Sequence, residues 1–258
     1  MKGMKKNAAV TVLLIAAAVV LAALGALCGA VVHVAADPNF YARDSRLAVA
    51  RYMGLEPGED GLTDEDEAAV TRYVGLTREE QEEFAWRFAL NVRLPGATFA
   101  DFEILQAHEQ QHMRDVRDLI VLSERVARVC TTLAAILAIA AAWTGTGLAR
   151  RLRTGLLGAV CGIGLLALSA GGFALAMNTA GFERLFVLMH KMLFTNDLWL
   201  LNPSTDILIR MMPQPLFEMA LLRVIARAGA SFGAAALVLA ALYGLVGGMI
   251  RRNVAQKA

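Results

Sequence analysis

The chain has 258 residues, 57% of them hydrophobic, and a mean hydropathy of +0.51, which excludes an ordinary water-soluble domain. A formal net charge of only +2 provides no basic surface of the kind nucleic acid requires. The three cysteines, Cys28, Cys130 and Cys161, all lie in apolar stretches, so the polar segments hold no disulfide framework.

Four uncharged runs carry the hydropathy: Ala8–Val32, Val129–Ala149, Thr154–Phe182 and Ala228–Ile250. Each exceeds the ~18–20 residues a helix needs to cross a bilayer. The predicted fold class is therefore an all-α integral membrane protein, with four transmembrane helices and an extracytoplasmic cap of short helices. The first run is longer than the ~7–15 residues of a signal-peptide core. Although Val34-Ala35-Ala36 would suit a signal peptidase, the run reads as a retained anchor, and Gly25-Ala26-Leu27 before Cys28 makes a poor lipobox. Lys2, Lys5 and Lys6 precede the first run, Arg150, Arg151 and Arg153 fill the turn between the second and third, and Arg251, Arg252 and Lys257 follow the fourth. The positive-inside rule places all three clusters, and both termini, in the cytoplasm. The chain then divides into a first transmembrane helix (1–36), an extracytoplasmic segment (37–127), helices two and three with their short basic turn (128–178), a second extracytoplasmic or interfacial segment (179–226), and the fourth helix with its tail (227–258).

In chain order, Gly25 with Gly29 and Gly158 with Gly162 have the small-xxx-small spacing of close helix contacts. His33 closes the first span at the interface. Tyr41–Met53 has amphipathic helical character, and Gly54–Gly61 with Pro57 reads as a turn. Thr63-Asp64-Glu65-Asp66-Glu67 and Thr77-Arg78-Glu79-Glu80 are capped helix starts. Val92–Leu94 reads as a short strand. Pro95 and Gly96 then break the chain before a helix expected from Thr98, capped by Asp101, running on into the second span. Leu105, His108, His112, Asp115 and Leu119 share one stripe of that helix. Along a straight helix His112 stands about 16 residues, roughly 24 Å, before the span; a break near Ser123 would place it at the interface instead. Beyond the third span, Phe182, Leu185, Phe186, Met189 and Leu193 form one apolar face with His190 on its flank. A turn at Thr195-Asn196-Asp197 and another at Asn202-Pro203 follow, with Trp199 between them as a candidate for the interfacial aromatic belt. Thr205 is expected to cap a short helix over Asp206–Met212, ended by Pro213 and Pro215.

Three readings of the histidines follow. His108-Glu109-Gln110-Gln111-His112 matches H-E-x-x-H, which on a helix offers two zinc ligands and a general base, with His190, Asp115 or Asp206 as third ligand. A membrane zinc metallopeptidase would result. A second reading is a non-enzymatic membrane scaffold carrying unused histidines. The third is metal-free acyl transfer, in which one imidazole takes a proton from a nucleophile and the other stabilises an oxyanion. No serine or cysteine stands in a nucleophile motif, so the nucleophile would come from the substrate.

Two segments together resemble the bacterial lipoprotein intramolecular transacylase family, four-span proteins long labelled only as conserved integral membrane proteins. One is Glu109-x-x-His112-Met113-x-Asp115-Val116. The other runs from Phe186 through His190, Phe194, Asn196, Asp197, Leu198, Trp199, Asn202-Pro203, Asp206, Leu208-Ile209 and Pro213 to Phe217. The chain departs from the family pattern at Asn202, where an aspartate is expected before the proline. His108 lies outside the first motif, so the zinc-protease match is coincidental under this reading. The resemblance implies movement of the sn-2 acyl chain of a diacylglyceryl-modified N-terminal cysteine onto its α-amine, giving a lyso-form lipoprotein. It implies an acyltransferase in the bacterial plasma membrane, with the site on the outer face and no cofactor or metal. Its partners are diacylglyceryl-modified lipoproteins and membrane lipid. His112 and His190 are the expected catalytic pair, with His112 as base toward the amine and His190 stabilising the oxyanion or protonating the leaving oxygen; the roles are exchangeable. Asp115 orients His112 or holds the cap, and Asn196, Trp199 and Asp206 are orienting or substrate-binding candidates.

Overall fold

The computed structural model describes residues 2–58, 61–99, 102–144 and 148–255. Asp101 and Lys257 lie outside the described residues. Among those described, every regular element is helical. They are α1 (Lys2–Ala35), α2 (Ser45–Tyr52) entered through a π-helical turn at Phe40–Asp44, α3 (Asp64–Val74), α4 (Arg78–Asn91), α5 (Ala107–Thr144), α6 (Leu148–Ala180), α7 (Phe182–Leu193), α8 (Ile207–Met211) and α9 (Gln214–Ala255). Four helices are long and apolar enough to cross a membrane, over Ala8–Ala35, Ala107–Thr144, Arg150–Ala180 and Gln214–Val246. α5 is unbroken at Ser123, and its uncharged stretch starts only at Val129.

One compact unit comprises residues 1–29, 125–178 and 226–258. Small residues let its helices approach closely, which is what drives helix association where lipid removes the hydrophobic effect. A Cβ on Gly158 would lie 2.7 Å from the Ile15 Cβ, and one on Gly162 2.7 Å from the Val19 Cβ. A Cβ on Gly25 would stand 2.9 Å from the Thr131 hydroxyl, whereas Gly29 faces nothing within 4 Å. The second half of the Gly25/Gly29 pair is therefore not a contact. The Thr11 and Thr144 hydroxyls are hydrogen-bonded at 2.6 Å, and the Tyr243 hydroxyl donates to the Arg151 carbonyl at 2.9 Å.

The other unit comprises residues 30–124 and 179–225. Its short helices begin as their sequences dictate. Thr63 accepts the Asp66 N–H at 3.2 Å while Asp66 accepts the Thr63 N–H at 3.3 Å, and Thr77 and Glu80 repeat the reciprocal cap at 3.2 and 2.7 Å. Gly75, at φ +85°, ends α3 in the left-handed conformation. The core is aromatic: Tyr41, Phe84, Phe88, Phe99 and Phe102 are all buried, with ring centroids 4.5 Å apart for Tyr41–Phe88 and 5.2 Å for Phe84–Phe88. Buried Arg46 pairs with Glu67 and donates to Gln81 at 3.0 Å, and Gln81 donates to Ser45 at 2.7 Å. Ser45 in turn donates to the Met211 carbonyl at 2.5 Å, tying α8 to α2.

Three local expectations are corrected. Val92–Leu94 is not a strand: the Val92 N–H still bonds to the Phe88 carbonyl at 3.0 Å, and consecutive tight turns carry the chain to Pro95. The helix expected from Thr98 starts at Ala107, because Phe99, Phe102 and Leu105 enter the core on turns that a continuous helix would not allow. α8 is shorter than expected and its N-cap is Asp206, not Thr205, while Pro215 does not end it but sits in the first turn of α9. At the far end of α6, Gly181 at φ +80° separates that helix from α7, a backbone conformation that glycine adopts without strain.

Candidate active site

The site is built on the first three turns of α5, on α7, and on the chain from Phe194 to Asp206. The α5 stripe presents His112 and Asp115, and α7 presents His190. The His112 and His190 ring centroids are 6.2 Å apart, and the residues are only 7% and 8% exposed. Phe194 lies 5.1 Å from His112 and 5.4 Å from His190, Trp199 5.0 Å from His190, and Phe186 4.2 Å from His190. Phe186, His190 and Phe194 recur every four residues, so a helical repeat places an aromatic ring on either side of the histidine. The sequence puts Phe186 on the apolar face and both phenylalanines in the family motif; their place around the histidines was there to be read in the four-residue period.

This apolar enclosure disfavours a charged imidazole. Burial, and then the neighbouring His190, push the His112 pKa down from 6.5 to about 4, with Asp115 acting in the opposite direction. Burial likewise lowers His190, against a hydrogen bond to the Phe186 carbonyl. That bond, 2.8 Å from the His190 Nδ1, fixes a tautomer: a carbonyl only accepts, so Nδ1 carries the hydrogen and Nε2 the lone pair. The His112 Nδ1 is buried and, among the described residues, has no partner.

Asp115 does not hydrogen-bond to His112. Its two oxygens accept from the Gln111 and Asn196 side-chain amides, each at 2.9 Å, so it anchors the turn after α7. Asp206 is buried and accepts from the Asn202 N–H at 2.8 Å and the Thr205 hydroxyl at 2.7 Å, with the His108 Nε2 at 3.0 Å. Burial alone would raise its pKa, but these hydrogen bonds, led by His108, hold it below the ordinary carboxylate value. The Asn202 side-chain oxygen accepts the Ser204 N–H at 3.0 Å, a turn contact that asparagine and aspartate make equally well. The departure from the expected aspartate therefore leaves the turn intact.

Glu109 is 0% exposed, and its carboxylate accepts the Gln106 N–H and the Leu208 N–H, each at 2.8 Å. It caps α5 and α8 together. His108 is engaged with Asp206 and Glu109 with two backbone amides, so H-E-x-x-H is used here to fold the chain. Among the described residues no group of three His, Cys, Asp or Glu side chains is placed to hold a metal. The capping role of Glu109 went unread because Gln106 is not one of the usual N-cap residues.

A family model described as lipoprotein intramolecular transacylase Lit matches residues 16–217. Among solved structures, the chain is similar to the integral membrane lipoprotein intramolecular transacylase Lit from Bacillus cereus: 18% identity, TM-score 0.56, 95% of this chain and 98% of that one covered. Two histidine variants of the same Bacillus cereus protein match at 17% and 18% identity with TM-scores of 0.54 and 0.56, covering 95% of this chain in both cases and 94% and 96% of theirs. No curated protein sequence matches the chain. At these identities the structures speak for the fold, an integral membrane helical one. The family model extends over most of the sequence, including both histidine-bearing segments, and so the chain belongs to the lipoprotein intramolecular transacylase family, an acyltransferase family.

Proposed function

We propose that the enzyme moves the sn-2 acyl chain of a diacylglyceryl-modified N-terminal cysteine onto that cysteine's own α-amine, with His190 as general base and His112 as oxyanion donor. The observation that carries this reading is the pair of buried imidazoles, ring centroids 6.2 Å apart in one aromatic box, an enclosure that disfavours their charged forms. Among the described residues neither ring is hydrogen-bonded to a serine, threonine or cysteine, which suits a nucleophile that arrives with the substrate. Amine and ester then belong to one molecule, and proximity supplies much of the rate.

The tautomers support the division of roles, which reverses the one the sequence favoured. The His190 Nε2 lone pair is available to take a proton. In His112 a partnerless buried nitrogen is less costly as a bare lone pair than as an N–H, which puts the hydrogen on Nε2, where it can be donated. The free amine attacks the ester carbonyl carbon while the His190 Nε2 removes an N–H proton. The oxyanion accepts from the His112 Nε2–H. Collapse breaks the carbonyl carbon–sn-2 oxygen bond, and the His190 imidazolium returns the proton to the glyceryl oxygen. One C–N bond forms, one C–O bond breaks, and no cofactor is consumed.

The three basic clusters support cytoplasmic termini in a bacterial plasma membrane and a site on the outer face, where lipoproteins are displayed. Exposed Leu188, Met192 and Leu200 support contact of this region with membrane lipid. The test is mass spectrometry of the N-terminal lipopeptide of a lipoprotein co-expressed with the enzyme in a host lacking its own N-acylating activity. The expected result is an unchanged total mass with one acyl group moved from glycerol to the α-amine. A free amine on an intact diacylglyceryl cysteine, in the presence of inserted enzyme, would overturn the proposal.

A further inference from the structure

We infer that Asp115, held by Gln111 and Asn196, is the subsite that receives the α-ammonium group of the lipoprotein's N-terminal cysteine. The inference rests on the transfer reaction proposed above. An N-terminal amine has a pKa of about 8, so the substrate arrives at neutral pH as a cation. A half-buried negative group without a counter-charge is the complement of such a cation.

Asp115 meets that description. Its partners are the amides of Gln111 and Asn196, each at 2.9 Å, and both are neutral. Among the described residues it makes no ion pair. Arg114, its neighbour in sequence, donates to the Gln111 side-chain amide oxygen, at 3.0 Å from Nε and 2.7 Å from Nη2, so that the Gln111 amide stands between the guanidinium and the carboxylate. A carboxylate offers about four acceptor positions, of which two are filled. The other buried acids of the site are committed: Glu109 to the Gln106 and Leu208 amides, Asp206 to His108, Asn202 and Thr205.

The position is also right. Asp115 follows His112 by three residues on the α5 stripe, so its field reaches that ring. Asn196 stands two residues beyond Phe194, whose ring packs against both histidines. An ammonium seated on Asp115 is therefore beside the imidazole pair. It releases one proton to solvent, and the neutral amine loses its second proton to His190 as the C–N bond forms. The product is an amide with no charge. Asp115 then has no cation to hold, so the same electrostatics that recruit the substrate favour release of the product and reject lipoproteins already acylated on nitrogen.

The test uses two dialkylglyceryl-cysteine lipopeptides whose ether linkages cannot be transferred, one with its α-amine and one desamino, bound to the full-length enzyme in nanodiscs at pH 6.5. The native enzyme is expected to prefer the amine by about tenfold or more, in line with a hydrogen bond to a charged group. Asp115→Asn, which removes the charge at nearly constant volume, is expected to bind both alike. Equal binding of the two by a native enzyme that still transfers the acyl chain of an ester substrate would overturn the inference alone, without recourse to any variant. Full preference retained in Asp115→Asn would overturn it as well. If the native enzyme neither binds the ether lipopeptides nor transfers acyl from the ester, the proposed reaction fails and the inference with it.

Discussion

His112 and His190 are the same residue type in one aromatic enclosure, yet their ring nitrogens keep different company. His190 has its Nδ1 tied to a carbonyl; His112 has a buried Nδ1 tied to nothing. Glutamine separates the two roles, because its amide donates a hydrogen bond but does not act as a base at neutral pH. His190→Gln should lose about 10²–10⁴-fold in kcat, the usual worth of general-base catalysis. His112→Gln, which keeps an N–H near the oxyanion, should retain more activity than His190→Gln, whereas His112→Ala should lose about 10²–10³-fold. Single-turnover rates on a synthetic diacylglyceryl lipopeptide measure this, and the reverse order would exchange the roles. The pH dependence of kcat has a definite sign. In the proposed mechanism His190 acts unprotonated, and burial lowers its pKa from the ordinary 6.5, while the substrate amine, with a pKa of about 8, must itself lose a proton before it attacks. The rate should therefore fall by no more than about tenfold per pH unit between about 8 and 6.5, the slope of that one proton, and steepen only below 6.5. A steeper fall above 6.5 would assign the base to another group. The histidine pair was legible in the sequence because α5 and α7 each carry a motif. The tautomers were not, since they depend on the Phe186 carbonyl and on burial, which no residue pattern displays.

At the level of elements, the site region is held by an exchange of caps. Glu109 of α5 caps the N-terminus of α8, and Asp206, the N-cap residue of α8, reaches back to His108 of α5. Periodicity showed that His108 and Glu109 begin a helix, but the exchange involves residues nearly a hundred positions apart, and local patterns carry no such information. The same limit explains the late start of α5. Thr98 looked like an N-cap, but burial of Phe99, Phe102 and Leu105 prevailed over local helix preference and deferred the start to Ala107. The capped starts at Thr63 and Thr77 were legible, because their partners, Asp66 and Glu80, lie in the same short stretch. Glu109→Ala removes the acceptor for two backbone N–H groups, one of them buried with α8. It should lower stability by about 2–4 kcal/mol, from two caps at about 1 kcal/mol each with an added penalty for an orphaned buried donor. His108→Gln retains a donor toward Asp206 and should cost under about 1 kcal/mol. Thermal unfolding in detergent compares the two, and an equal loss would mean that the histidine, not the carboxylate, carries the exchange.

For the whole molecule, the four spans were legible from hydropathy alone, because a bilayer imposes length and apolarity on each helix regardless of its neighbours. Which faces of those helices touch is a finer matter. Both glycine pairs had the same spacing, yet Gly158 and Gly162 are pressed against Ile15 and Val19 while Gly29 faces open space. Spacing marks a candidate contact, and only the partner helix decides whether it is used. The difference can be measured within one unit of the protein. Gly162→Val places a branched side chain where even a single Cβ would stand 2.7 Å from the Val19 Cβ and 3.1 Å from the Ala16 carbonyl oxygen. Neither the backbone oxygen nor a β-branched neighbour yields easily, so α1 and α6 must separate. Overpacking of this kind costs about 1–3 kcal/mol. Gly29→Ala meets no atom within 4 Å and exchanges glycine for a better helix former, so it should be neutral or stabilising by up to about 1 kcal/mol. Unfolding temperatures in one detergent should rank Gly29→Ala at or above the native protein and Gly162→Val clearly below it. A native-like Gly162→Val would show that the contact between α1 and α6 is not close enough to need glycine.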